Sequence, residues 1–453
     1  MPEQYDCIVV GSGPGGYVAA IRAAQLGMKT AVVEKDKIGG RCLNYACIPA
    51  KAVLRVADVL SEIDEADEFG IEVAGRTVDF GKVSERREKV IKTLTGGVGG
   101  LLKKNKVDVI EGVGSLADGG VKVGDTVYGA TKGIILATGS VAKPVPGTQF
   151  GGRVIGTEDA WALETLPKKI AVIGAGASGS EIASAYGRLG TEVLLFEALD
   201  RVLPTEDADI SKVAGRGLGK QNIKVHTGTL VTDVQSHDDK VTFTYGDETG
   251  EAEYLIIAAG RGPDVDALGI DGIKRTEAGL IEVDGRLRTS IDKVYAIGDL
   301  TPGPALAHKA SDEGVIAVED AAGLETHPIE YVDIPRATFC TPNVASFGLT
   351  EAQAREQGLD VVIGKVQYGA VGAGTVYGDR GGVIKIVGDK RYGELVGGHI
   401  VGAKATELIQ ELVNAKALEG GYAEVARIIH GHPTLSEGVM EAARAADGWL
   451  IHG

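Results

Sequence analysis

The sequence predicts an α/β protein, and three observations carry that prediction. Short apolar runs, many of them closed by glycine, alternate with stretches of helical spacing. The 67 glycines among 453 residues are about twice the usual share. They follow no three-residue period and do not pool into a linker, but gather where backbone must turn tightly or approach a ligand. The third observation is an internal repeat. Residues 9–35 (VVGSGPGGYVAAIRAAQLGMKTAVVEK) and 172–198 (VIGAGASGSEIASAYGRLGTEVLLFEA) align without a gap at an offset of 163.

Each copy reads as strand, Gly-x-Gly-x-x-Gly turn, helix and strand. Each ends on an acid, Glu34 or Glu197, 23 residues after its first glycine. Gly11 and Gly174 permit the sharp turn out of the strand, and Gly13 and Gly176 let backbone approach a pyrophosphate. Gly16 and Gly179 let the helix pack against the sheet, with its N-terminus facing the phosphates. The carboxylate accepts hydrogen bonds from an adenosine ribose. One such turn is a weak signal, whereas two copies with equal acid spacing predict two Rossmann-like dinucleotide-binding domains. Glu197 puts a carboxylate where a 2′-phosphate would sit, and no arginine flanks it before Arg201. That favours NAD over NADP at the second site. The first site, near a cysteine pair, is expected to hold FAD.

Three more apolar runs end in small residues beside the expected nucleotides. Residues 134–139 close on Thr138 and Gly139, residues 255–260 close on Gly260, and residues 295–299 close on Asp299. Asp299 is expected to bind a hydroxyl of the flavin chain.

Residues 39–51 read GGRCLNYACIPAK, with Cys42 and Cys47 five apart. In an ideal helix that separation is about 8.6 Å between Cα atoms. A disulfide needs less than about 7 Å, so bridging requires a distorted helical turn. Pro49 suits one, because it removes an N–H and disfavours helix at Ile48. Beyond it Val53, Val56, Ala57, Leu60 and Ile63 keep helical spacing, which sets the pair near a helix N-terminus where the dipole favours a thiolate. Zinc would want two further ligands, and no partner CxxC or CxxH exists. Redox use is the expectation, with no metal.

Composition narrows the classes. Lys and Arg total 47 against 63 Asp and Glu, a net charge of −16. Such a chain lacks the basic stripe of a nucleic-acid binder and would be repelled by anionic lipid. No run of 18 apolar residues occurs, so no membrane insertion is expected. Met1 leads almost directly into the apolar run at 7–10, so no signal peptide is expected. Four cysteines do not make a secreted disulfide framework. The expected location is cytoplasmic.

On the motif at 39–51 and the paired glycine turns, the chain resembles the flavoprotein disulfide reductases (class I pyridine nucleotide-disulfide oxidoreductases), and among them those acting on dihydrolipoamide. The likeness extends through LAHKASDEG at 306–314, TPNVASFGLTEAQA at 341–354, HIVGAKATELIQE at 399–411 and HGHPTLSE at 430–437. Arg41 stands where the family commonly has Thr, and Ala46 where it commonly has Gly. The resemblance implies that Cys42 is the interchange thiol and Cys47 the thiol facing the flavin. It makes His432, rather than His430, the base, with Glu437 orienting its imidazole. It places Lys51 near the flavin, paired with Glu181, and Ala307 beside the cofactor. The implied activity is oxidation of protein-bound dihydrolipoamide to lipoamide, with electrons passing through FAD to NAD. The implied partners are lipoyl-bearing domains of a multienzyme complex and a second subunit, the homodimer completing each site.

The resulting organisation is a FAD-binding domain with the redox pair at 1–146 and an NAD-binding domain at 147–270. A central segment at 271–335 returns to the FAD, and an α+β C-terminal dimerisation domain occupies 336–453. The acidic run at 61–68 is expected to be a solvated helix face, and Cys7 to pack in a strand. Two rivals remain: an NAD(P)H-dependent reductase of another small disulfide, and a nucleotide-binding redox sensor without turnover.

Overall fold

The computed structural model describes residues 3–453. The chain divides into two compact units. The first comprises Met1–Ala52, Gly81–Lys143 and Gly260–Tyr331, and the second Val53–Phe80, Pro144–Ala259 and Val332–Gly453.

In the first unit a parallel sheet is built from strands Asp108–Glu111, Thr30–Glu34, Gln4–Val10, Thr126–Leu136 and Val294–Ala296, in that spatial order. The strand Gln4–Val10 lies inside and is buried on both faces, which is why it reads as a continuous apolar run. Its alternate residues serve two cores. Cys7 and Val9 join the cluster holding Ala19, Ala23, Leu102 and Val318, whereas Ile8 and Val10 join the one holding Val121, Leu268 and Ile281. Cys7 is therefore a packing residue, as its strand context predicted. Helices Pro14–Gln25 and Ala307–Ala321 pack at backbone distance. A methyl on Gly15 would stand 2.7 Å from the Ala310 carbonyl oxygen, and one on Gly314 2.6 Å from that of Gly15.

The second unit repeats the plan. Strands Ile223–His226, Glu192–Phe196, Lys169–Ile173, Tyr254–Ile257 and Val154–Gly156 form a parallel sheet. Helix Ala177–Leu189 follows its glycine turn. An antiparallel meander over Val231–Ser236, Val241–Tyr245 and Glu248–Ala252 adds Phe243 to a core with Phe196 and Leu255. The C-terminal part is α+β. Its five-stranded antiparallel sheet runs Arg336–Thr338, Val344–Gly348, Glu394–Val401, Val383–Asp389, Val361–Gln367 in space. Ile384, Ile386 and Ile400 meet residues of helices Ala405–Ala417, Tyr422–Arg427 and Ser436–Ala446 on one face. Lys385, between two of those isoleucines, points the other way and is buried among carboxylates. It lies 2.9 Å from Asp207, 3.0 Å from Asp209 and 2.8 Å from Glu351.

The acidic run at 61–68 spans the end of helix Cys47–Asp64 and a 3-10 turn, with Glu62, Asp64, Glu65, Asp67 and Glu68 exposed. Among the described residues no helix is long and apolar enough to cross a membrane.

Candidate active site

The two glycine turns are nearly superposable in their chemistry. Gly11 and Gly174 adopt φ of +103° and +97°, a region open to glycine at little cost. Gly13 and Gly176 cap their helices in extended backbone, and a methyl on either would meet nothing within 4 Å. Gly16 and Gly179 differ somewhat from the sequence expectation. A methyl there would stand 3.4 and 3.3 Å from Ala137 and Ala258 on the sheet side, but would first overlap the Gly11 and Gly174 carbonyl oxygens. The third glycine thus closes the turn upon itself before it admits the sheet.

The acids are held alike. Glu34 Oε2 accepts from the Ser12 N–H at 2.9 Å and the Ser12 hydroxyl at 2.5 Å, and Oε1 accepts from the Asp36 N–H at 2.9 Å. Glu197 Oε2 accepts from the Ala175 N–H at 2.8 Å, and Oε1 from the Leu199 N–H at 3.0 Å. Each carboxylate is thereby fixed and keeps lone pairs for a ligand hydroxyl. Both turns fit a dinucleotide: open space at the second glycine, a helix N-terminus and an oriented acid.

Thr138, Gly139, Gly260, Asp299 and Ala307, the other residues expected beside a nucleotide, also belong to the first unit. The Thr138 hydroxyl donates to the Asp264 carbonyl at 2.6 Å, and the Asp264 N–H donates to the Gly139 carbonyl. Gly260 is paired with Lys143, whose carbonyl oxygen would stand 2.5 Å from an added methyl. Asp299 lies in the short turn Gly298–Leu300 and accepts from the Ser140 hydroxyl at 2.5 Å. That turn is bolted from beneath. Lys309, fully buried, donates to the Gly298 carbonyl at 2.8 Å and the Thr301 hydroxyl at 2.9 Å, and lies 3.1 Å from Glu313. Glu313 accepts from the Gly298 N–H at 2.6 Å and the Tyr331 hydroxyl at 2.6 Å. Burial raises the Glu313 carboxyl above its ordinary value, despite those partners. Ala307 is the first residue of the same helix, Ala307–Ala321.

The chain is bent between the two cysteines, as bridging them would require. Cys42 lies in the helical turn Gly40–Asn44, and Cys47 opens helix Cys47–Asp64. The first turn ends because the Arg41 carbonyl accepts from both the Tyr45 and Ala46 N–H groups, at 2.8 and 3.0 Å. Gly39 and Gly40, at φ +93° and +58°, place this turn against the nucleotide loop, for a methyl on Gly40 would stand 2.7 Å from Gly13 Cα. The Asn44 amide fastens the Ile38 and Gly40 carbonyls. The structure shows the pair as a dithiol. Cys42 shares a hydrogen bond with Cys47, and that bond, then burial, pushes its thiol pKa well up, while Lys51 and Arg41 pull it down. Within the pair, Cys42 is thus the sulfur that holds its proton more firmly.

In the second unit His432 Nδ1 lies 2.9 Å from Glu437 Oε1. Glu437 Oε2 accepts from the Thr434 N–H at 2.9 Å, so the acid is oriented by backbone and orients the imidazole in turn. Burial would raise Glu437, but the Thr434 N–H and His432 outweigh it and hold the carboxyl below its ordinary value. The His432 side chain is 76% exposed, open to a reactant. Glu181 lies buried in helix Ala177–Leu189 and accepts from the Phe339 N–H at 2.9 Å. Lys51 belongs to the first unit. Among the described residues no group of three or more His, Cys, Asp or Glu is placed to hold a metal ion.

The comparisons agree with this geometry. Residues 5–314 match the family described as pyridine nucleotide-disulphide oxidoreductase, and residues 334–443 match that family's dimerisation domain. The chain belongs to that family. Among its relatives are a dihydrolipoyl dehydrogenase of Bacillus subtilis, 43% identical and covering 100% of this chain and 98% of the relative. Another, from Geobacillus stearothermophilus, is 42% identical over 99% of this chain and 97% of its own. Of solved structures, LpdA from Mycobacterium tuberculosis superposes with a TM-score of 0.90 at 26% identity, over 98% of this chain and 99% of that one. The HOCl-induced flavoprotein disulfide reductase RclA from Escherichia coli, in its Cu(II) complex, gives 0.87 at 26%, over 97% and 99%.

As a pyridine nucleotide-disulphide oxidoreductase, the chain is a flavoprotein enzyme of disulfide oxidoreduction, whose family binds FAD and NAD(P). Its dimerisation domain supports a homodimer. The reading of motifs passed over Ser12, Ser140, Asn44 and the Lys309–Glu313 pair. Only the last left a signal, its i,i+4 spacing inside LAHKASDEG; the others are small polar residues whose roles depend on tertiary neighbours.

Proposed function

We propose that this enzyme oxidises dihydrolipoamide carried on lipoyl domains of a multienzyme complex in the cytoplasm, with NAD as electron acceptor. The observation that carries the reading is one residue set in one chain: a dithiol at the head of a helix and an exposed histidine with an oriented carboxylate. The full-length likeness to dihydrolipoyl dehydrogenases adds to it.

His432 of the partner subunit takes a proton from the first substrate thiol, and Glu437 beside it stabilises the imidazolium. The substrate thiolate attacks Cys42 Sγ of the oxidised pair and Cys47 leaves as thiolate. The second substrate thiol, deprotonated in turn, attacks the substrate sulfur of the mixed disulfide, so that Cys42 leaves as thiolate and lipoamide is released. Cys42 and Cys47 then hold the two electrons as a dithiol. The Gly11–Gly16 turn, Glu34 and Asp299 would hold FAD, which would supply the redox chemistry that links the dithiol to a nicotinamide. Lys51, four residues beyond Cys47, would bring positive charge toward the flavin, which would favour a reduced, anionic ring.

NAD rather than NADP follows from Glu197. Its carboxylate, pinned by Ala175 and Leu199, repels a 2′-phosphate, and Arg201 is turned onto the Pro204 carbonyl at 3.2 Å. A second reading, reduction of another small disulfide at the expense of NAD(P)H, draws on the likeness to RclA. The test of the mechanism is Cys47→Ser, which is expected to abolish dihydrolipoamide turnover. Retained turnover contradicts it.

A further inference from the structure

His430 and His432 are two residues apart, yet the structure treats them oppositely. Whereas the His432 side chain is 76% exposed, that of His430 is 5% exposed. Its Nε2 lies 2.5 Å from Glu411 Oε1 on helix Ala405–Ala417, and its Nδ1 lies 2.9 Å from the Ile428 carbonyl oxygen. A carbonyl and a carboxylate only accept, so both ring nitrogens donate and the ring carries a proton on each. The segment between is tied again on its far side, where the Thr434 hydroxyl donates to the Gly431 carbonyl at 2.7 Å and the Thr434 N–H to Glu437.

We propose that His430, gripped on both ring nitrogens by Glu411 and the Ile428 carbonyl, is a positioning residue that holds residues 428–434 so that His432 meets Glu437. The proposal rests on the reading of His432 as the base and deepens it. With its side chain buried, His430 acts through the segment it anchors.

The charged groups facing His430 come from two helices. Glu411 on Ala405–Ala417 raises its pKa above the ordinary histidine value, first through the hydrogen bond, against burial and the opposing charge of Arg444 on Ser436–Ala446. Glu437, on that second helix, feels the His430 charge and is held lower by it. The clamp is therefore closed while His430 is protonated, and it loosens as pH rises through the raised value. Removing the Glu411 charge lets His430 lose its proton at lower pH.

The test uses the flavin-loaded dimer. Misplacing a catalytic group by about 1 Å costs up to about 100-fold, so His430→Gln is expected to lower kcat/KM for dihydrolipoamide by about 10- to 100-fold. Reduction of ferricyanide by NADH, which asks nothing of His432, should stay at the wild-type rate. On a His432→Gln background, His430→Gln should cost nothing more, because there is no base left to position. Glu411→Gln should shift the alkaline decline of kcat/KM to lower pH, and it decides the matter if His430→Gln does not assemble. An unchanged kcat/KM in His430→Gln, an additive loss in the double variant, or an unmoved alkaline limb in Glu411→Gln each overturns the proposal. Failure of the underlying reading looks different: His432→Gln alone would then turn over dihydrolipoamide normally.

Discussion

Glu34 and Glu197, 163 residues apart, are held by backbone N–H groups that are themselves 163 residues apart: Ser12 and Asp36 for one, Ala175 and Leu199 for the other. The internal repeat is thus conserved down to individual hydrogen bonds. The carboxylates are oriented before any ligand arrives, so their cost of ordering is met by the fold.

The two sites should separate on mutation. A charged hydrogen bond contributes about 1.5–3 kcal/mol, so Glu197→Gln should raise KM for NAD by roughly tenfold or more and leave flavin content unchanged. Glu34→Gln should do the reverse, weakening FAD retention through gel filtration with KM for NAD intact. Loss of flavin from the Glu197 variant would contradict the assignment of the two turns.

Lys309 and Glu313 are both fully buried, and breaking a buried pair by removing one partner costs about 3–5 kcal/mol. Lys309→Met should leave Glu313 uncompensated beneath the Asp299 turn, lowering the denaturation midpoint and loosening FAD. Lys309→Met combined with Glu313→Gln should recover much of the stability, since no charge is then stranded. If the double variant is as unstable as the single one, the pair is not the source of the effect.

His399 gives a pH dependence with a definite sign. It is fully buried, its Nε2 donates to the Leu349 carbonyl at 2.9 Å, and its Nδ1 has no partner. Burial lowers its pKa below 6.5, against the pull of Leu349, Asp207 and Glu206 and with that of Arg336. Below about pH 6.5 the unfolded chain binds a proton that folded His399 refuses, so this contribution is lost as pH falls. His399→Gln, which keeps a donor for Leu349, should therefore lose less stability than wild type between about pH 8 and about pH 5. Urea midpoints across that range check it, and parallel curves would count against it.

Gly96, Gly97, Gly99 and Gly100, which no motif explains, lie within helix Phe80–Lys104. Methyls there would meet nothing within 4 Å. Glycine inside a helix costs about 1 kcal/mol relative to alanine. Gly99→Ala should accordingly raise the denaturation midpoint, by roughly 0.5–1 kcal/mol per subunit. A lower midpoint would show that something closes on this face in the assembled protein.

Much of this was legible in the sequence because it is local. Each nucleotide turn is one strand–turn–helix unit, and its glycines and acid stand at fixed offsets. His432 and Glu437 meet across one turn of chain, and Cys42 and Cys47 across a broken helical turn. What was not legible depends on segments far apart in the chain. Ser140 reaches Asp299 across 159 residues, and Lys385 is 178 residues from Asp207. The environment of Cys42 also escaped the sequence: the nearby cations are visible there, but the hydrogen bond with Cys47 and the burial that push its thiol pKa up are not.

The most direct test of the central claim compares two assays on the purified flavoprotein: NADH formation from NAD with dihydrolipoamide, and NADPH-dependent reduction of a small disulfide such as oxidised glutathione. Rapid NADH formation with little NADPH-dependent turnover is the predicted result. Vigorous NADPH-dependent reduction, with dihydrolipoamide left unoxidised, would contradict the account.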